Sequence, residues 1–193
     1  MKTSNRVADV ILYGGPASGK SSQAKLLVKK LKAAHMNMGG LLRAEARRKT
    51  PAALAIKKYM NAGKLVPERI SSTLAREFVR RTPANKRIVF DGYPRRMLQV
   101  RVLEPAVRKA GRRTVLLFID LPVTVAKARI MKRIKLEGRA DDANPKVIAE
   151  RILIFHKNSQ ALLKFYRGRH TLITINGNQT IPAVQRDIVK AVK

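Results

Sequence analysis

At 193 residues, with 45% hydrophobic residues and no run near the ~20 apolar residues of a membrane span, the chain reads as one domain able to bury a core. The lack of cysteine excludes disulfides and thiolate metal sites, and the apolar segment Val10 to Tyr13 is too short for a signal peptide, so a cytoplasmic protein with no membrane partner is expected. The 42 Lys and Arg against 12 Asp and Glu give a net charge of +30, so partners should be anionic.

In chain order, Val7 to Tyr13 reads as a buried strand, followed by a Gly-rich turn and a helix from Gly19 to Ala34. Gly39 to Arg48, Ala52 to Asn61 and Pro67 to Arg81 read as helices, the last with proline at its start. Arg87 to Phe90 and Thr114 to Ile119 read as strands, with helical spacing over Met97 to Lys109 between them. Pro122 to Lys135 and Pro145 to Arg167 are two more helices, separated by a break at Gly138. Thr171 to Ile175 is the last strand and Pro182 to Val192 the last helix. Continuous apolar strands separated by helices predict an α/β fold with a parallel sheet covered on both faces, and such sheets bind ligands at the carboxyl ends of their strands.

Basic residues occur along the whole chain, and aromatics are only 5% with no stacking cluster. The charge therefore has two readings: a solvated surface that steers small anions, or a nucleic-acid footprint giving at least weak, non-specific binding at low salt.

Gly14-Gly15-Pro16-Ala17-Ser18-Gly19-Lys20-Ser21 fits Gly-x-x-x-x-Gly-Lys-Ser/Thr between a predicted strand and a predicted helix. In this pattern glycines let successive backbone N–H groups turn inward onto phosphate oxygens, and the helix N-terminus adds partial positive charge. Lys20 is placed for the β- and γ-phosphates of a nucleoside triphosphate, and the hydroxyl of Ser21 or Ser22 for Mg²⁺. Asp91 ends a predicted strand beside this loop, where a carboxylate can hold Mg²⁺ directly or through water.

The segment GGPASGKSSQ, residues 14–23, resembles the adenylate kinase loop, which commonly reads GGPGSGKGTQ. His35 to Arg43 resembles that family's segment ending TGDLLR, Ala62 to Pro67 its AGKLVP turn, and Asp91 to Arg95 with Gln99 its DGFPR…Q block. Arg129 to Arg133, Gly138 to Asp142 and Arg151 resemble its lid. The blocks stand in family order from residue 8 to about residue 185, and the short connection between Arg133 and Arg139 is similar to the small-lid form, which carries no zinc.

The resemblance implies a single P-loop kinase domain with a five-stranded parallel sheet, a helical acceptor-binding arm at about 37–66 and a lid at about 134–145. It implies Mg-dependent transfer of the ATP γ-phosphoryl group to AMP in a monomer. Gly15, Pro16, Ala17, Ser18, Gly19, Lys20, Ser21, Ser22, Arg129, Arg133 and Gln179 would contact ATP, with Arg129 against the adenine. Met38, Arg43, Lys64, Leu65, Val66, Gly92, Tyr93, Pro94, Arg95, Gln99, Arg139 and Arg151 would contact AMP. Lys20, Arg95, Arg133, Arg139 and Arg151 would be catalytic, since phosphoryl transfer needs alignment, charge neutralisation and exclusion of water. Asp141 and Asp142 would orient lid arginines, or form an acidic pair ahead of a helix. Gln99 would pair through its amide with an adenine edge, or be an exposed helix residue.

Several positions depart from the family pattern. Met38 replaces a usual Thr and Gly40 a usual Asp, which makes UMP or CMP the rival acceptor. Ser21 and Ser22 replace Gly-Thr, Arg96 replaces a small or polar residue, and the segment from Arg139 to Arg151 is one residue longer. Two other functions compete: a basic nucleotide-regulated nucleic-acid platform, and a kinase acting on a non-nucleotide alcohol. The arrangement of Lys20, Asp91 and the arginines argues against the first, and Gln99 with the arm segment against the second.

Overall fold

The structure, a computed structural model, describes residues 8–137 and 145–193. Five strands, β1 (Asp9–Tyr13), β2 (Ala34–Asn37), β3 (Ile88–Asp91), β4 (Thr114–Asp120) and β5 (Leu172–Asn176), form one sheet in the order β2-β3-β1-β4-β5. Every pairing is parallel, as in Val10 opposite Val89 and Val115. The connecting helices are α1 (Lys20–Leu31), α2 (Met38–Glu45), α3 (Pro51–Asn61), α4 (Glu68–Arg81), α5 (Met97–Lys109), α6 (Val123–Glu137), α7 (Pro145–Gly168) and α8 (Ile181–Val192).

Side chains alternate across a strand, so β1 serves two cores. Ile11 and Tyr13 join Phe90, Leu116, Leu103, Leu162 and Tyr166 beneath α4, α5 and α7. Val10 and Leu12 join Ala24, Leu27, Leu117, Val184 and Ile188 beneath α1 and α8. Burial on both faces explains why the strands read as unbroken apolar runs.

The strand β2 is absent from the periodicity reading, which runs α1 on to Ala34. Lys32 ends the helix instead, in the left-handed region at φ 49°, with its N–H bonded to the Lys29 and Val28 carbonyls. Helices usually make this turn with glycine, so the stop carries no sequence signal here. Ala-His-Met-Asn is also a poor strand sequence; it is held by its register from Ala34 opposite Ile88 to Asn37 opposite Asp91.

The rim of the sheet at the strand amino ends is tied by buried charge. Arg112 Nη1 bonds Asp9 Oδ1 and Oδ2 at 3.0 and 3.1 Å, and the same guanidinium donates to the Lys86, Thr82 and Pro83 carbonyls. Asp9 also accepts the Ile88 N–H at 2.7 Å. A buried pair with so many donor sites filled avoids the cost of an unpaired charge. At the opposite rim β1 lies between β3 and β4, where the chain order switches direction, and the crevice opens there.

Candidate active site

The loop between β1 and α1 folds as a phosphate cradle for steric reasons specific to its residues. A Cβ on Gly14 would lie 2.6 Å from Ser18 Oγ and 3.0 Å from the Ile119 carbonyl, so only glycine fits. Gly19 sits before α1 at φ 84° and leaves the first helical N–H groups without a side-chain cap, open to an anion. Ala17 is left-handed at φ 61° in a place where the common family loop has glycine. For a residue with a Cβ that conformation costs roughly 1–2 kcal/mol.

Lys20, Ser21 and Asp91 share one cleft of about 570 Å³ with Arg43, Arg95, Gln99 and Arg151. Ser21 Oγ donates to Asp91 Oδ1 at 3.1 Å, whereas Ser22 lies outside the cleft lining. Of the two hydroxyls proposed for a metal, the structure brings only Ser21 to the carboxylate. Asn37 Nδ2 reaches Asp91 Oδ2 at 3.4 Å, and His35 Nε2 stands 3.6 Å from the same oxygen. Burial pushes the Asp91 carboxyl up, but His35, the Lys20 ammonium and the Ser21 hydroxyl outweigh it and hold the pKa below the usual carboxylate value. One charged carboxylate beside one hydroxyl suits Mg²⁺, which takes one or two carboxylates and leaves its other positions to phosphates and water.

The same cleft is lined by Met38, Arg43, Lys64, Leu65, Val66, Gly92, Arg95, Gln99 and Arg151, all residues that the resemblance assigns to the acceptor. Met38, Gly39 and Gly40 open α2, and Asn37 caps it by accepting the Gly40 N–H at 2.7 Å. Asn37 therefore links α2 to Asp91, a role that the sequence reading missed although Asn is a favoured residue at a helix start. Arg95 Nε donates to the Gly92 carbonyl at 2.9 Å, which holds the guanidinium over the loop after β3. More than a third of Arg95 is accessible, yet its guanidinium lies deep in the cleft; that depth, and then the Arg151 charge, lower its pKa. Two guanidiniums brought together in this way favour an anion between them.

Gln99 is 3% exposed, so it is not a surface helix residue. Its Oε1 accepts the Arg95 N–H at 2.6 Å and its Nε2 donates to Ser71 Oγ at 3.3 Å. Tyr93 is 1% exposed; its hydroxyl bonds Ser72 and the Gln99 carbonyl, so the side chain supports the cleft from below and does not line it. Pro94 lines a small adjoining cavity with Lys20, Arg95 and Arg151, and Gly15 lies under Phe155. Pro16 and Ala17 line the main cleft, while Ser18 is buried behind it.

Arg129 and Gln179 meet away from this lining. Arg129 Nη2 donates to the Gly177 and Gln179 carbonyls at 3.1 and 3.5 Å, and Gln179 Nε2 donates to Asp187 at 2.8 Å. The side chain of Arg133, and Arg139, Asp141 and Asp142 with most of the lid at about 134–145, lie outside the described residues.

A family model described as adenylate kinase matches residues 12–171. The chain belongs to the adenylate kinase family. It is 34% identical over 174 residues to an adenylate kinase of Cyanothece sp. (strain PCC 7425 / ATCC 29141), covering 90% of this chain and 89% of that protein. It is 33% identical over 180 residues to one from Synechococcus sp. (strain JA-2-3B'a(2-13)), covering 93% of each. It is 31% identical over 185 residues to one from Bacteroides fragilis (strain YCH46), covering 95% of this chain and 97% of the relative. The five-stranded parallel sheet implied by the resemblance is the one observed, with β2 as its fifth strand. Among the described residues no helix is long and apolar enough to cross a membrane.

Proposed function

We infer that this cleft performs its family's reaction, the reversible transfer of the ATP γ-phosphoryl group to AMP to give two ADP. The observation that carries the assignment of roles is the single cavity joining Lys20, Ser21 and Asp91 to Arg43, Arg95 and Arg151. A phosphoryl transfer site needs two phosphate-bearing substrates in line, fixed positive charge at the transferring group, and little covalent help from protein.

In this reading the loop amides after Gly14 and the Lys20 ammonium hold the donor phosphates. Arg43 and Arg95 grip the acceptor phosphate by forked guanidinium bonds, and Arg151 meets the charge that spreads over the transferring oxygens. Arg133 and Arg139 are assigned to the same charge, with Asp141 and Asp142 orienting them. Arg129 lies against the donor adenine, held by the loop at Gly177. Ser21 and Asp91 would hold Mg²⁺, which when bound neutralises β- and γ-oxygen charge. Lys64, Leu65 and Val66 enclose the acceptor nucleoside, and Met38 supplies an apolar wall where the common pattern has a hydroxyl. The protein works as a cytoplasmic monomer.

The deciding assay measures ADP formed from Mg-ATP with AMP, UMP, CMP and dTMP separately, using Lys20→Ala as control. Preference for AMP, lost with Lys20, is the expected result. Preference for UMP or CMP would make the acceptor a pyrimidine nucleotide.

A weaker second activity rests on the groove between α1 and α8. Lys29, Lys30, Arg186, Lys190 and Lys193 line it around Leu26 and Val189, and none of the five cations pairs with a described residue. Sequence-independent binding of nucleic acid at low salt is expected there, with log affinity falling linearly against log salt. Retention of a labelled duplex on the protein above physiological salt would contradict it.

A further inference from the structure

Beneath the acceptor cleft runs a chain of hydrogen bonds whose direction is fixed at both ends. The Arg95 backbone N–H donates to Gln99 Oε1 at 2.6 Å, Gln99 Nε2 donates to Ser71 Oγ at 3.3 Å, and Ser71 Oγ donates to the Glu68 carbonyl at 3.3 Å. A backbone N–H can only donate and a backbone carbonyl can only accept. The amide of Gln99 is therefore locked between an obligatory donor and a hydroxyl already committed to an obligatory acceptor. Turning it over would set its NH₂ against the Arg95 N–H. A buried donor would be left unpaired, which is costly away from water. Gln99 is 3% exposed and Ser71 1%, so bulk water cannot make good that loss. The far end is braced as well. Arg96 Nε and Nη2 bond Glu68 Oε2 at 3.0 and 2.9 Å, and Ser72 Oγ donates to Glu68 Oε1.

The lock leaves Gln99 with one free N–H on Nε2 and one free lone pair on Oε1, and Gln99 and Ser71 both line the cleft. An adjacent donor and acceptor of fixed order reads a base edge by polarity. Adenine and cytosine present an amino donor next to a ring-nitrogen acceptor. Hypoxanthine, guanine and uracil present a carbonyl acceptor next to a ring N–H donor, the reverse order. An amide free to rotate would satisfy either edge by turning over; a locked one meets the oxo edge donor to donor and acceptor to acceptor. A site built to hydrogen-bond one edge rejects an analogue that leaves its buried polar groups unpaired.

We propose that Ser71 is a specificity-positioning residue: together with the Arg95 N–H it holds the Gln99 amide in one orientation, so that the acceptor site takes amino-base monophosphates and turns away oxo-base ones. The proposal rests on the assignment of this cleft to the acceptor nucleotide, which places Gln99 at its base. Ser71 acts through Gln99, so its removal should appear in acceptor KM and in base preference, leaving kcat and the KM for ATP alone.

The test uses AMP and IMP, which differ only at the 6-position edge, with the whole protein and its Ser71→Ala, Ser71→Thr and Gln99→Ala variants. Ser71→Ala should raise the KM for AMP and lower the AMP-to-IMP ratio of kcat/KM about tenfold, the worth of one polar bond. Ser71→Thr, which keeps the hydroxyl, should retain the ratio, and Gln99→Ala should abolish it. A ratio unchanged in Ser71→Ala but lost in Gln99→Ala overturns the role of Ser71. Equal losses on AMP, IMP and ATP overturn it too, because they mark Ser71 as packing alone. A ratio unchanged in Gln99→Ala overturns instead the placing of the acceptor base in this cleft.

Discussion

The two ends of the cleft, assigned above to donor and acceptor, are built from different materials. The donor end is made of backbone: a loop whose amides face inward because Gly14 admits no Cβ and Gly19 sits at φ 84° ahead of an uncapped helix. The acceptor end is made of side chains held in place by hydrogen bonds, from Asn37 on the Gly40 N–H and Asp91 to Gln99 on the Arg95 N–H and Ser71. A backbone site tolerates changes such as Ser21-Ser22 for Gly-Thr provided its dihedrals survive. A side-chain site changes its choice of substrate when one partner is exchanged.

The comparison is broken most strongly at the arginines. Arg151→Ala should lower kcat/KM by ~10³, the usual worth of an arginine at transition-state charge, and Arg151→Lys should recover little of it because an ammonium has no fork. Single-turnover transfer to AMP measures both. At the donor end Lys20→Ala should cost roughly 10²–10³ in kcat with the fold intact, because the amide cradle persists. Its thermal midpoint should match that of the parent, and a large drop would show that Lys20 is structural.

Smaller changes sharpen the contrast. Asn37→Ala removes a helix cap worth about 1 kcal/mol and one bond to Asp91, so it should raise the KM for AMP and lower stability together. Urea unfolding beside a KM measurement separates the two effects. Ala17→Gly relieves a left-handed alanine but adds freedom to the unfolded chain, so the net gain should be below about 1 kcal/mol, read from the urea midpoint. The smallest effect belongs to pH. Asp91 has a lowered folded pKa, so its stabilising contribution is complete above the ordinary carboxylate value of ~3.9 and disappears only as pH falls through the lower folded value. As pH falls below about 4 the difference in unfolding free energy between the parent and Asp91→Asn should therefore shrink, which acid unfolding of both proteins measures.

Much of the donor end was legible because a phosphate cradle demands glycine and lysine at fixed spacing, which survives as a pattern. The helices were legible to within a few residues for a similar reason: α5 occupies Met97–Lys109 as its periodicity predicts. The strand β2 was hidden because its helix stop uses Lys32 and its pairing comes from the neighbouring strand. Ser71 was hidden because nothing in the run Ile-Ser-Ser marks one hydroxyl as facing Gln99 across 28 positions. The choice between Ser21 and Ser22 was likewise open until the helix turned one of them toward Asp91.

The polar tie at the amino-end rim, where Asp9 and Arg112 bind β1, β3 and the segment after α4, has a consequence for how such a protein can vary. This polar tie lies at the end of the sheet opposite the cleft. Insertions and exchanges at the other end then alter what is bound without loosening what holds the strands in order. An engineer grafting a new acceptor loop onto this chain should treat the Asp9 to Arg112 rim as the foundation and leave it untouched.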